Sequence, residues 1–260
     1  MIAALALIGC IRPPRERASE GVDHGYPSCG QGALPEGERI ATGFLRAGPV
    51  MSSPSVVERF EVRRRDCLEV FSGRQDWALS SIDLEVVYDA ETLLPLRVWK
   101  RIGSPGLRGG APRVDVRRFE LRDTDRVALT QRRVDGELEH WRIRGPIPRV
   151  IIGPGRGVLT MWIRRARLPV GGRLRETALD VRESMELIRD VTLLRLEDRD
   201  DPTIGRRVRV YSIYGREPFY ADENDVVIGD MMGMLPGELV RDPMPTPSVV
   251  LDPPDPIGTP

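Results

Sequence analysis

The sequence predicts a mainly β fold: a one-sided antiparallel sheet with one or a few short helices, set between a flexible N-terminal tether and a proline-rich tail. Three observations predict it. From Glu38 onward apolar and charged residues alternate with period two, as in WALSSIDLEVVYD, RVDVRRFELRD and RRVRVYSIYG, the pattern of a sheet with one buried and one wet face. Turn-forming residues separate several of these runs. A single stretch, VLTMWIRRA, carries helical spacing instead.

The chain divides into four parts. Residues 1–9 read as a signal-peptide remnant, because IAALALIG is too short to cross a bilayer, which takes about 20 apolar residues. Leu7-Ile8-Gly9-Cys10 resembles the lipobox of bacterial lipoproteins, and the resemblance makes Cys10 the acylated first residue of the mature chain. No lysine or arginine precedes Arg12, where a signal peptide usually carries a basic opening. Residues 10–37 are rich in Pro, Gly, Arg and Glu without apolar periodicity, which suits a lipidated flexible tether. The β domain spans 38–240. In the final part, 241–260, a proline falls every few residues, so it is expected to be extended and disordered.

Within the domain, Asp135-Gly136 lies between two alternating runs, a strong hairpin signal. Asp89-Ala90-Glu91-Thr92 separates SIDLEVVYD from LPLRVWKRI, and residues 103–112, GSPGLRGGAP, form a longer loop. Val158, Met161, Trp162 and Arg165 place a short helix after the glycine-rich Gly153-Pro154-Gly155-Arg156-Gly157. Strands resume through LPVGGRLRETALDV and continue to RRVRVYSIYG, where Val208, Val210 and Ser212 are assigned to one face and Arg207, Arg209 and Tyr211 to the other.

Composition excludes several functions. Lys plus Arg equals Asp plus Glu at 39 each, so no overall basic field exists to gather nucleic acid. Three cysteines, Cys10, Cys29 and Cys67, fit no metal spacing, and no metal or other cofactor is expected. With Cys10 acylated, Cys29 and Cys67 are a candidate disulfide; two separate thiols are the alternative. The glycine-rich loop lacks the Gly-Lys-Ser or Gly-Lys-Thr of a phosphate loop, since the only lysine is Lys100. The two histidines, His24 and His140, stand without a nucleophile elbow. The acidic run Asp222-Glu223-Asn224-Asp225 lacks the glycine of a calcium loop and reads as a hairpin turn. No catalytic residue is proposed, and the chain is not expected to be an enzyme.

YDAETLLPLRVWKRI (residues 88–102) and the stretch from Leu168 to Asp230 are similar to periplasmic half-barrel families that include the lipoprotein-sorting carriers of the LolA and LolB type. The likeness spans about residues 80–230. It implies a curved antiparallel sheet, an unclosed half-barrel, wrapped around a few short helices. Its motifs mark hairpins, and no acyl-binding residue of the carriers maps onto a position here. The concave face of such a sheet must be covered by helices, a partner or a ligand. Two functions follow as expectations. In the first, an envelope lipoprotein on the periplasmic side of the outer membrane holds a lipid or acyl ligand, lined by Met161, Trp162, Met231, Met232 and Met234. In the second, a non-catalytic envelope scaffold with a self-filled core meets another envelope protein.

Overall fold

The computed structural model describes residues 37–47, 56–77, 80–104, 113–123, 126–132, 138–182, 186–214 and 216–240. Eight strands come first: β1 (Glu38–Ala47), β2 (Val57–Arg65), β3 (Leu68–Trp77), β4 (Ser80–Asp89), β5 (Pro95–Ser104), β6 (Arg113–Asp123), β7 (Arg126–Arg132) and β8 (Leu138–Arg144). They pair in sequence order as an antiparallel meander. The order is legible physically: each run alternates, and a short turn can only return the chain beside the strand it has left. β15 (Met234–Pro236), from the end of the domain, adds to the free side of β1 and completes a nine-stranded sheet.

The second sheet has six strands in the order β14-β13-β12-β11-β10-β9 and curls without closing. These are β9 (Val150–Ile152), β10 (Arg173–Asp180), β11 (Leu187–Asp201), β12 (Arg206–Ile213), β13 (Phe219–Ala221) and β14 (Val227–Asp230), with helix α1 (Leu159–Ala166) between β9 and β10. The fold is therefore the mainly β, curved and unclosed architecture that the alternation and the resemblance predict.

One apolar cluster joins the two sheets and the helix. The first sheet gives Leu45, Phe60, Val62, Phe71, Val86, Val98 and Phe119, α1 gives Leu159, Met161, Trp162 and Ile163, and the second sheet gives Leu179, Leu193, Tyr211 and Ile213. Phe71, Phe119, Tyr211 and Phe219 are among the largest fully buried side chains. Phe60 and Phe71 stack with centroids 5.7 Å apart, and glycines at 43, 73 and 157 leave the room these two rings occupy. Side chains of the protein itself thus pack between the sheets.

Several sequence expectations change. The stretch VVERFEVRRRDCLEVF (residues 56–71), which alternation alone presents as one continuous run, is two strands: Arg65 pairs with Leu68 across the Asp66-Cys67 turn, with Asp66 at φ 51. Asp66 is a turn-forming residue that tolerates this conformation, but with neither Gly nor Pro beside it the turn stands out little from the surrounding charged run. The helix is present, one residue shorter at its start. The connection it belongs to differs from the all-hairpin expectation, because β9 and β10 are parallel, Ala178 facing Val150. On β12 Tyr211 is fully buried in the main core, while Val208 and Val210 pack with Ile204, Tyr220 and Ile228 on the opposite face. The strand is covered on both sides, and alternation hid this because a tyrosine has an apolar body behind its hydroxyl. Residues 231–233 form a turn leading into β15, and Met231 and Met232 on it are exposed.

Candidate functional site

The glycine-rich loop sits where a phosphate loop would, between a strand and a helix in a strand–helix–strand unit with parallel strands. Its amides are nonetheless occupied from within. The carboxylate of Glu58, buried on β2, accepts the N–H of Arg156 at 2.8 Å and of Gly157 at 2.6 Å. A Cβ at residue 155 would collide with that carboxylate, which explains the second glycine of the loop. Arg156 in turn donates from Nε to Asp230 at 2.8 Å, and the other oxygen of Asp230 accepts the N–H groups of Met232 and Met234. Burial pushes the Glu58 carboxyl up, against the pull of those two backbone donors. The loop is a structural latch holding α1 onto the first sheet.

Two other buried charges have similar roles. Glu69, fully buried on β3, accepts from Arg64 and from Arg164 of α1, the latter at 2.7 Å. Lys100, the single lysine, is fully buried on β5 and donates to the carbonyl of Val181 at the end of β10. Burial lowers its pKa to about 8, while Glu186, Asp115 and Asp180 pull it up and Arg117 pushes it down.

The polar face of the first sheet carries an open groove of about 500 Å³. Its geometry follows from register. Thr42, Glu61, Ser72, Glu85 and Trp99 lie in one row across β1 to β5, and Phe44, Arg59, Arg74 and Asp83 lie in the next row. All nine line the groove, with Arg39 at one end. Side chains two apart on a strand share a face, so the two rows form one surface.

The groove is electrostatically balanced, with Arg39, Arg59 and Arg74 facing Glu61, Asp83 and Glu85. Glu61 accepts from Arg63 at 2.9 Å and lies 3.4 Å from Arg39. Arg74 donates to Asp76 at 2.8 Å and lies 3.7 Å from Asp83, which Arg101 also approaches at 3.9 Å. The Arg59 guanidinium stands 5.1 Å over the Phe44 ring. Burial raises the carboxyls of Asp83 and Glu85; Arg74 and Arg101 oppose it at Asp83, and Arg97 at Glu85. Equal charge of both signs beside two aromatic rings suits a ligand with donors and apolar surface, and gives no grip on a polyanion.

The predicted site residues lie elsewhere. Met161 and Trp162 are buried in the main core, and the Trp162 indole donates to Glu176 at 2.8 Å. Met234 is buried as well, whereas Met231 and Met232 are 55% and 47% exposed. None of the five lines the groove. Cys67 takes part in a disulfide; Cys10 and Cys29 lie outside the described residues, as do the tether, the tail, His24 and the Asp135-Gly136 turn. The side chain of His140 is also outside them. The acidic run from Asp222 is the hairpin turn expected, with the Asp222 carboxylate accepting the N–H groups of Asn224 and Val226 at 2.9 Å each. Among the described residues no group of three or more His, Cys, Asp or Glu side chains could hold a metal, and no helix is long and apolar enough to cross a membrane.

Alternation by itself assigns the groove residues to the wet face of the sheet. Alternation shows which side a residue takes but not its neighbour across the ladder. The legible signal was Trp99, a large aromatic at an outward position in LPLRVWKRI.

No family model and no curated protein matches the chain. A solved structure of a DUF1089 family protein from Pseudomonas aeruginosa is similar at 18% identity and a TM-score of 0.45, over 73% of this chain and 96% of that one. Likeness at that level implies nothing about ligand or activity.

Proposed function

We propose that this chain is a non-catalytic binding protein of the cell envelope, tethered through acylated Cys10, which receives its ligand on the polar groove of the first sheet. The observation supporting this most is the contrast between the two faces of that sheet. The inner face is filled by the protein's own side chains, while the outer face offers a groove with charge of both signs and aromatic walls. An acyl chain between the sheets, the other expectation from the sequence, would have to displace rings such as Phe71, Phe119 and Tyr211.

The test places a photo-reactive amino acid at Thr42, exposed at the groove, and at Arg207, exposed on β12. On irradiation in cells, adducts form from position 42 and not from 207. Labelled palmitate enters the wild type and not Cys10→Ser. Equal adducts from both positions would remove the groove from the account, and no palmitate in the wild type would remove the anchor.

A further inference from the structure

Glu85 on β4 and Trp99 on β5 face each other directly across the ladder and both line the groove. Their neighbours are committed. Glu61 has Arg63 and Arg39, and Asp83 has Arg74 and Arg101. Glu85 makes no hydrogen bond and no ion pair within 4 Å among the described residues; the cation acting on it is the more distant Arg97, on its neighbour β5. The Trp99 indole N–H is buried without an acceptor among the described residues. What the half-buried ring presents to the groove is therefore carbon.

We infer that the Glu85–Trp99 pair is a subsite for the ammonium group of a small organic amine, the ammonium donating to Glu85 and the amine's apolar part lying on the Trp99 ring. The inference rests on the groove being the binding face. A carboxylate withdrawn from water gains more from a charged donor than from a hydroxyl. An indole ring with its N–H turned away attracts a cation through its π face. The arginines of the groove have contacts of their own, Arg74 with Asp76 and Asp83, Arg39 with Glu61 and Arg59 with the Phe44 ring, and Arg118, across the ladder from Trp99, donates to Glu120.

The test uses the full chain with isotope-labelled tryptophan, which gives four indole N–H signals for its four tryptophans; Trp99→Phe identifies the one that matters. The probes are 2-phenylethylamine, the neutral 2-phenylethanol and the anionic phenylacetate. The amine shifts the Trp99 signal saturably, the alcohol binds at least about tenfold more weakly, and phenylacetate leaves the signal in place. Glu85→Gln weakens the amine about tenfold while alcohol binding and thermal stability stay as in the wild type. Equal binding of amine and alcohol, unaffected by Glu85→Gln, would overturn the ammonium subsite and leave the groove standing. Preference for phenylacetate would overturn it too. If no probe moves the Trp99 signal the subsite is lost, and the adduct from position 42 decides separately whether the groove reading survives.

Discussion

The Glu58 carboxylate on β2 holds the backbone N–H groups of Arg156 and Gly157 at 2.8 and 2.6 Å, filling with an internal anion the loop that most resembles a phosphate cradle. A glycine-rich turn ahead of a helix offers its amides to whatever negative charge is nearest. Here that charge comes from a strand almost a hundred residues earlier, and it ties the helix to the first sheet.

Removing it leaves one buried and one part-buried amide, those of Gly157 and Arg156, without that acceptor. Hydrogen bonds to a charged group contribute about 1.5–3 kcal/mol each, so Glu58→Ala is expected to lower the unfolding free energy by about 3 kcal/mol or more in a urea titration. Glu58→Gln, whose amide oxygen still accepts, costs less. A change below about 1 kcal/mol in Glu58→Ala would show that the latch is not a stabilising contact.

Lys100 makes a signed prediction for pH. Its folded pKa is pushed down to about 8 from 10.5, so between these values the unfolded chain binds more protons than the folded one. Stability attributable to this group is then fully present above 10.5 and is lost as pH falls through 8. Lys100→Met removes the dependence, and the difference between the wild-type and variant stability curves rises from pH 8 to 10.5. A flat difference would contradict the burial of this amine.

Helix α1 ends at Arg167, exposed and held in the left-handed region at φ 43, with its N–H donating to Ile163 at 3.1 Å. A glycine adopts this conformation without the clash of a Cβ. Arg167→Gly should therefore raise stability by about 1 kcal/mol, read as a higher Tm. An unchanged or lower Tm would mean that the arginine side chain makes a contact of matching worth.

Cys67 is disulfide-bonded, and if Cys10 is acylated, as proposed, Cys29 is the expected partner. In that case Cys29→Ser exposes one maleimide-reactive thiol, at Cys67, while the wild type shows none before reduction. A wild type that already reacts at Cys67 would contradict the pairing.

Much of the fold was legible because alternation is local. Val98 and Trp99, adjacent in LPLRVWKRI, sit on opposite faces as their order requires. Asp89 closes its turn as written, accepting the Thr92 N–H at 2.7 Å. Non-local features were not legible. The Asp66-Cys67 turn has a turn-forming aspartate but no glycine or proline to set it off from a charged run, the burial of Tyr211 depends on a second packed layer, and the parallel β9–β10 pair depends on where α1 carries the chain. The groove belongs to this second class, since Thr42, Glu61, Ser72, Glu85 and Trp99 come from five strands and meet only through register.

The central claim, that ligand is held on the outer face while the interior is self-filled, is tested most directly by native mass spectrometry. The full chain is purified from its own membranes as wild type and as Ser72→Trp, a substitution that fills the groove from the polar face. The account predicts a wild-type mass above that of the acylated chain, lost on denaturation, and no such excess in Ser72→Trp at unchanged Tm. An excess retained in Ser72→Trp would place the ligand between the sheets, and a bare wild type would contradict a stably held ligand.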